Sequence, residues 1–226
     1  MILQHDFNSS WWGAPIGISS DVNDLFLTRE QLSTSLSKFE WIEFRVPVAT
    51  LPSQKLGPTN GAHMVDVQLS YQKNISRLNV PLSGVEIMKA SEIEIDFNDF
   101  SPFSHERYIR LNNADHEKLA MRYSLLAQHL VQNSPNTCAT VFYKSSLVGY
   151  VFGHVTGTTA VFDLAVTSKS SQISGQILYE AAGHFFHMAG ANKMTSSFNA
   201  ANIGALNAHV RLQCRFLEAT SIWLLE

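Results

Sequence analysis

The stretch NAANIGALNAHVRLQCRF (199–216) sets His209 seven residues after Asn202, in a pattern that reads as an asparagine-opened helix. Seven residues are about two helical turns, so the two side chains share a face. An imidazole titrates near neutrality and can serve as an acid or a base; it can equally be a polar residue on a helix face without chemical duty. A second candidate is LAVTSKSSQISGQILYEA (164–181), where a strand passes through small polar residues and one glycine into a helix. Such a junction presents unpaired main-chain N–H groups and the positive end of the helix dipole, which suits an anion such as a pyrophosphate. The same residues also fit a plain turn capped by Ser171 or Ser174.

Glu180, His184 and His187 in YEAAGHFFH recur at i, i+4 and i+7 on one helix face, a spacing compatible with metal binding. No further ligand follows from spacing nearby, so a histidine pair at a surface or in packing is the simpler reading and no metal is expected. Trp11 and Trp12, beside a Gly and Pro turn in DFNSSWWGAPIG (6–17), could stack on a sugar or a base, or plug a small core. There is no GKS or GKT phosphate loop, no GxGxxG, no GxSxG elbow and no Cys and His pairing of hydrolase type.

The elements that must position these residues fall into two runs. A helix around 29–37 precedes the alternating strand WIEFRV (41–46), and a turn-rich segment joins it to the strand MVDVQLSY (64–71). The polar, aromatic segment 95–108, with Pro102, reads as a connector, so we divide the chain into an N-terminal α/β domain (1–98) and a second domain (99–226). The second run predicts a helix from Asp115 to Gln132 and a hairpin turning at Lys144–Ser146. After these come the strand 159–166, a helix over 175–189, the strand 193–199, a helix over 203–213 and the strand 216–225. Alternating strands and helices imply crossovers and a partly parallel, mixed sheet of α/β (α+β) class.

Charged residues are 15% of the 226 and hydrophobic ones 45%, so the chain is expected to be globular, with an uncharged surface compatible with a homodimer. Sixteen basic against 19 acidic residues exclude a basic stripe for a phosphate backbone, hence no nucleic acid partner. Two distant cysteines, no signal-like opening and no long apolar run predict a cytoplasmic protein with no membrane partner.

In their order these elements resemble the GNAT superfamily of N-acetyltransferases. The residues that carry the resemblance are LAV (164–166) with its loop and helix, KMTSSFN (193–199), and NIGALNAHVRLQCRF, which is similar to the family pattern N-x-x-A-L-x-x-Y-x-x-L-G-F. HDFNSSWWGAPIG, FRVP and MVDVQLSY resemble, more loosely, the first domain of the TDP-fucosamine acetyltransferase type, whose acceptor is a nucleotide-linked amino-deoxy sugar.

The resemblance implies acetyl-CoA as co-substrate, a bulge near Ala165 and Val166 beside its pantetheine arm, and Asn202 near that arm. It places Ser171, Gln172, Ser174, Gly175 and Gln176 around the pyrophosphate. It also puts His209 where the family's tyrosine protonates the departing thiolate, and a strand amide near Val166 at the oxyanion. Asn199, Asp163 or a water would orient or deprotonate the amine. The chain departs from the family by keeping one loop glycine, Gly175, with Ile173 near the place of another and no arginine. His209, Gln213 and Cys214 replace the family's tyrosine, glycine and phenylalanine. These departures leave open a protein of this fold that binds a ligand or partner without turnover, and an acyltransferase with another amine acceptor.

Overall fold

The computed structural model describes residues 1–52, 57–76, 82–89, 97–100, 106–171 and 175–226. Its frame is one ten-stranded mixed sheet. In chain order the strands are β1 (Leu3–Gln4), β2 (Gly17–Ser19), β3 (Ile42–Pro47), β4 (His63–Asn74), β5 (Val85–Lys89), β6 (Cys138–Tyr143), β7 (Ser146–Thr156), β8 (Thr159–Thr167), β9 (Lys193–Asn199) and β10 (Arg215–Leu225). Across the sheet they run β1, β2, β3, β10, β4, β9, β8, β7, β6, β5. The C-terminal β10 therefore lies between β3 and β4, antiparallel to both, so strands from either side of residue 98 share one sheet. The helices are α1 (Asp6–Trp12), α2 (Val22–Leu25), α3 (Ser33–Leu36), α4 (His116–Asn133), α5 (Gly175–Met188) and α6 (Ile203–Arg211). None is long and apolar enough to cross a membrane among the described residues.

Strand alternation sends neighbouring side chains to opposite faces. Tyr150 and Phe152 of β7 join Phe100 and Ala127 beneath α4, while Val151 between them joins Leu178, Ala182 and Phe186 of α5. Asp115 opens α4 by accepting from the amides of Glu117 and Lys118 at 3.1 and 3.0 Å. That cap aligns the apolar stripe Tyr123, Leu126 and Leu130 with the sheet. Trp12 belongs to a third cluster, edge-on to Trp41 at 6.2 Å and packed with Ile16, Tyr108 and Leu224, so it fills a core. The expected helix around 29–37 contracts to the four residues of α3, after turns at 29–32.

Register shifts by one residue where Phe152 pairs with Leu164 but Gly153 with Phe162. The extra residue, Asp163, is a β-bulge in β8, two residues before Ala165, near which the bulge was expected. The bulge exchanges the faces of the strand. Phe162 packs on the α5 side and Leu164 and Val166 on the α4 side, with Ala165 turned back toward α5. Gly153 makes the bulge sterically permissible, since a Cβ there would lie 2.3 Å from the carbonyl oxygen of Val161.

Candidate active site in a fork between two strands

β8 and β9 are parallel, and they pair only where Thr159–Val161 lie opposite Lys193–Thr195. Beyond that point both strands continue, β8 to Thr167 and β9 to Asn199, without pairing. At the point of divergence the Ser196 hydroxyl donates to the Phe162 carbonyl at 2.7 Å, so a side chain closes the apex where the ladder stops. The fork leaves a main-chain edge of β8 open to a cavity of about 410 Å³. Phe162–Ala165 form one wall and Ser196–Asn199 another, and α6 contributes Asn202, Ala205 and His209.

His209 is fully buried among aromatic rings. Its imidazole stacks on Phe198, with centroids 4.8 Å apart and planes 10° from parallel, and lies 3.9 and 4.4 Å from the rings of Tyr71 and Tyr179. A carbonyl can only accept, so Nδ1 donates its proton to the Ala205 oxygen at 2.7 Å. In the neutral ring Nε2 then carries a lone pair, and this atom has no hydrogen-bond partner. Burial lowers the imidazole pKa below its ordinary 6.5, and the hydrogen bond to Ala205 offsets only part of that. As it stands the ring is a proton acceptor; it becomes an acid only after Nε2 has taken a proton. The Tyr71 hydroxyl is likewise buried without a partner, and burial pushes its pKa well up; the Tyr179 phenol is pushed to about 12. Both phenols stay protonated.

The remaining sequence candidates separate into those the fork gathers and those it does not. Asn199 lines the cavity and donates to Asp66 at 2.6 Å, while its oxygen accepts from the Ala201 amide at 2.7 Å. Asn202 also lines it, as the cap of α6, accepting from the Ala205 amide at 3.0 Å. Ala165 and Asp163 are wall residues, and Asp163 is paired with His154 Nδ1 at 2.8 Å. The Val166 side chain sits in the core under α4, which leaves its main chain for any contact.

Gln172 and Ser174 lie outside the described residues. Ser171, Gly175 and Gln176 are not cavity residues. The Ser171 amide donates to the Ser168 carbonyl at 3.0 Å, the Ser170 amide to the Ser168 hydroxyl at 3.3 Å, and the Lys169 amide to Asp99 at 2.8 Å. Glu180 accepts from Gln176 at 2.8 Å, and His187 bonds the Ala191 carbonyl at 3.1 Å. No group of three metal-ligating side chains occurs among the described residues.

Sequence reasoning missed the far wall of the cavity: Arg45, Asp66, Gln68, Arg107, Arg122 and Tyr123. Behind it Glu43 is fully buried. Burial would raise the Glu43 pKa, but Arg107 and Arg45 outweigh burial and hold it at about 2. The Tyr108 hydroxyl and the Arg45 Nε donate to this carboxylate, and Arg107 Nε lies 3.3 Å from it. Asp66, 3.7 Å from Arg107, has its pKa raised because desolvation exceeds that attraction. The charges Glu43 and Arg45 in WIEFRV and Asp66 in MVDVQLSY fall at alternate positions, where a single strand's pattern reads as a solvent-facing side, so no local signal marked them as buried.

No protein-family model matches the chain, and no curated protein does. Solved structures do. A GCN5-related N-acetyltransferase from Sphaerobacter thermophilus aligns over 88% of this chain with a TM-score of 0.55 and 11% identity; the match spans 65% of that protein, just under two thirds. A GNAT-family acetyltransferase from Colwellia psychrerythraea aligns over 90% of this chain and 72% of its own, with a TM-score of 0.52 and 16% identity. A functionally unknown conserved protein from Staphylococcus epidermidis aligns over 94% and 84%, with a TM-score of 0.55 and 15% identity. At such identities the likeness is one of architecture: the chain has the fold of the GNAT N-acetyltransferases.

Proposed function

We propose that this protein is an acyl-CoA-dependent N-acyltransferase that moves an acetyl group directly from acetyl-CoA to an amine. The observation that carries the reading is the fork: an open β8 edge, free to bond an extended amide-bearing arm, ends at a cavity into which a buried imidazole with a free Nε2 is built. The unpaired edge and the orphaned nitrogen both fit a thioester ligand.

In the reaction the amine lone pair forms the N–C bond to the thioester carbon as the C–S bond breaks. The proton released from nitrogen goes to His209 Nε2, whose tautomer Ala205 has fixed, and then to the departing thiolate. A single imidazole thus serves both proton steps, and a main-chain N–H near Val166 supports the oxyanion. Asn199 holds Asp66 at the acceptor end, where the two position the amine.

Residues 1–98 supply Arg45, Asp66, Gln68 and Tyr71 to the cavity, which supports giving this part the acceptor side. The narrower reading, a nucleotide-linked amino-deoxy sugar as acceptor, rests on the N-terminal resemblance, and the arginines offer a place for its diphosphate. A second reading, ligand binding without turnover, is favoured by the amides of Lys169, Ser170 and Ser171, which already have partners and so do not reach for a pyrophosphate.

Titration calorimetry with acetyl-CoA, alongside thiol release in the presence of an amine panel, tests the proposal. Binding and amine-dependent thiol release support it. Binding without release favours the second reading, and absence of binding and of any thermal shift ends the acyltransferase reading.

A further inference from the structure

The far wall of the cavity carries three guanidinium groups, Arg45, Arg107 and Arg122, against one carboxylate, Asp66. The other carboxylates of this network, Glu43 and Glu106, bind the arginines from behind and do not line the cavity. Arg107 is held by Glu43 and by the Tyr108 hydroxyl at 3.2 Å. Arg122 is fixed differently: its Nη1 reaches Glu106 at 3.3 Å, and its guanidinium lies 4.8 and 4.9 Å from the ring centres of Tyr108 and Tyr123. It is more than nine-tenths buried, and its Nε has no hydrogen-bond acceptor.

A buried cationic donor without an acceptor is costly and rare, and on the cavity side of its wall guanidiniums outnumber carboxylates, because Glu43 and Glu106 balance the arginines from behind. A ligand oxygen with negative charge suits the three guanidiniums that line the cavity, because guanidinium matches the geometry of carboxylate and phosphate oxygens. The lone carboxylate of the wall, Asp66, stands beside Asn199 at the β9 end of the fork and suits an amine.

We infer that the acceptor is a small molecule bearing both an amine and an anionic group, a carboxylate or a phosphate, with the anion held by Arg122 and Arg45 and the amine directed to Asp66 and Asn199. This rests on the acyltransferase reading for the reaction but not for the binding of the anion. A neutral amine brings no negative charge to the guanidiniums that line the cavity, and a polyamine brings further positive charge beside them.

The test pairs acceptors that differ only in the anion: β-alanine against β-alaninamide, and phosphoethanolamine against ethanolamine. Spermidine and a nucleotide-linked amino-deoxyhexose complete the set. We expect the anionic member of at least one pair to exceed its neutral partner in kcat/KM by roughly 30-fold or more. The carboxylate pair, the phosphate pair and the nucleotide sugar separate the sources of the anion. Arg122→Met should erase that preference by raising the acceptor KM, and Arg45→Gln, at a more exposed position, gives the same readout if Arg122→Met fails to fold. Equal turnover of neutral and anionic amines, or a preference for spermidine, overturns the inference while leaving the acyltransferase reading standing. Thermal shift with β-alanine and phosphoethanolamine alone reads the anion site without acetyl-CoA. A shift lost in Arg45→Gln, in a protein that does not bind acetyl-CoA, supports the anion site and removes the transferase. No shift with any anionic amine and no anionic preference overturns the inference.

Discussion

His209 Nδ1 donates to the carbonyl of Ala205, one helical turn earlier, at 2.7 Å. This bond decides what the imidazole can do, because it fixes the tautomer and leaves Nε2 as the acceptor. His209→Phe keeps the aromatic stack on Phe198 but removes that nitrogen. We expect kcat for acetyl transfer to fall by about 10²–10⁴-fold with little change in acetyl-CoA affinity. Undiminished single-turnover rates in the variant would remove the proton-carrying role.

The acid limb of kcat follows from the same ring. Burial lowers the His209 pKa below 6.5, so Nε2 is free to accept at neutral pH and becomes occupied only in more acidic solution. A kcat profile should be flat through neutrality and fall on the acid side of 6.5. A limb rising toward acid would show instead that the protonated ring is the starting form.

Stability should follow three groups of different sign. The folded-state pKa of His209 lies below its ordinary 6.5, and that of Glu43 lies at about 2 against 4.5. Each therefore binds fewer protons when folded, and its contribution is present above the ordinary value and lost as pH falls through the folded one. Asp66, raised from 3.8, has the opposite sign: its contribution is full below 3.8 and lost as pH rises through the folded value. Denaturant midpoints should decline from about pH 6.5 downward and most steeply between 4.5 and 2. Glu43→Ala strands Arg107 and Arg45, and we expect a loss of ~3–5 kcal/mol in urea unfolding.

Gly153 permits the bulge that turns β8 into the fork. In Gly153→Ala the new Cβ would meet the Val161 carbonyl oxygen at 2.3 Å, which main chain must move to relieve. A destabilisation of ~1–3 kcal/mol is expected, together with weaker acetyl-CoA binding by calorimetry. Unchanged affinity would separate the bulge from ligand binding.

α6 ends on Gln213 at φ 57°, a left-handed conformation, with the Cys214 amide donating to the His209 carbonyl at 3.0 Å and the Gln213 amide to Val210 at 2.9 Å. This is a Schellman ending with a side chain where glycine is favoured. Gln213→Gly should raise stability by ~1 kcal/mol, read as a higher denaturant midpoint at unchanged slope.

Local pattern was enough for the elements around the fork. The expected strand at 193–199 coincides with β9, the expected 159–166 and 216–225 differ from β8 and β10 by one residue, and the helix expected from Asp115 to Gln132 is α4 shifted by one residue, with Asp115 as its cap. These segments carry strong periodicity and their own start and stop residues, so the information lies within each segment. The segment around 29–37 has a capping pair at its start, with Thr28 and Gln31 exchanging bonds at 3.3 and 2.9 Å, but it lacked a sustained apolar stripe, and the helix shrank to α3.

The sequence by itself determined that a strand, a loop and a helix precede an asparagine-opened helix that carries Asn202 and His209 on one face; Ala165 and Asn199 were set beside them only by the family resemblance. Only the tertiary structure decided what that imidazole is, because Ala205 sets its tautomer and burial, among rings contributed by β4, β9 and α5, lowers its pKa. Only it assembled Arg45, Asp66, Arg107 and Arg122 into one wall, since β10 enters between β3 and β4 and pairing between distant strands is not encoded in the period of any one of them. The bulge at Asp163 was decided there too: a register shift is a property of two strands, and a single strand's alternation cannot state it.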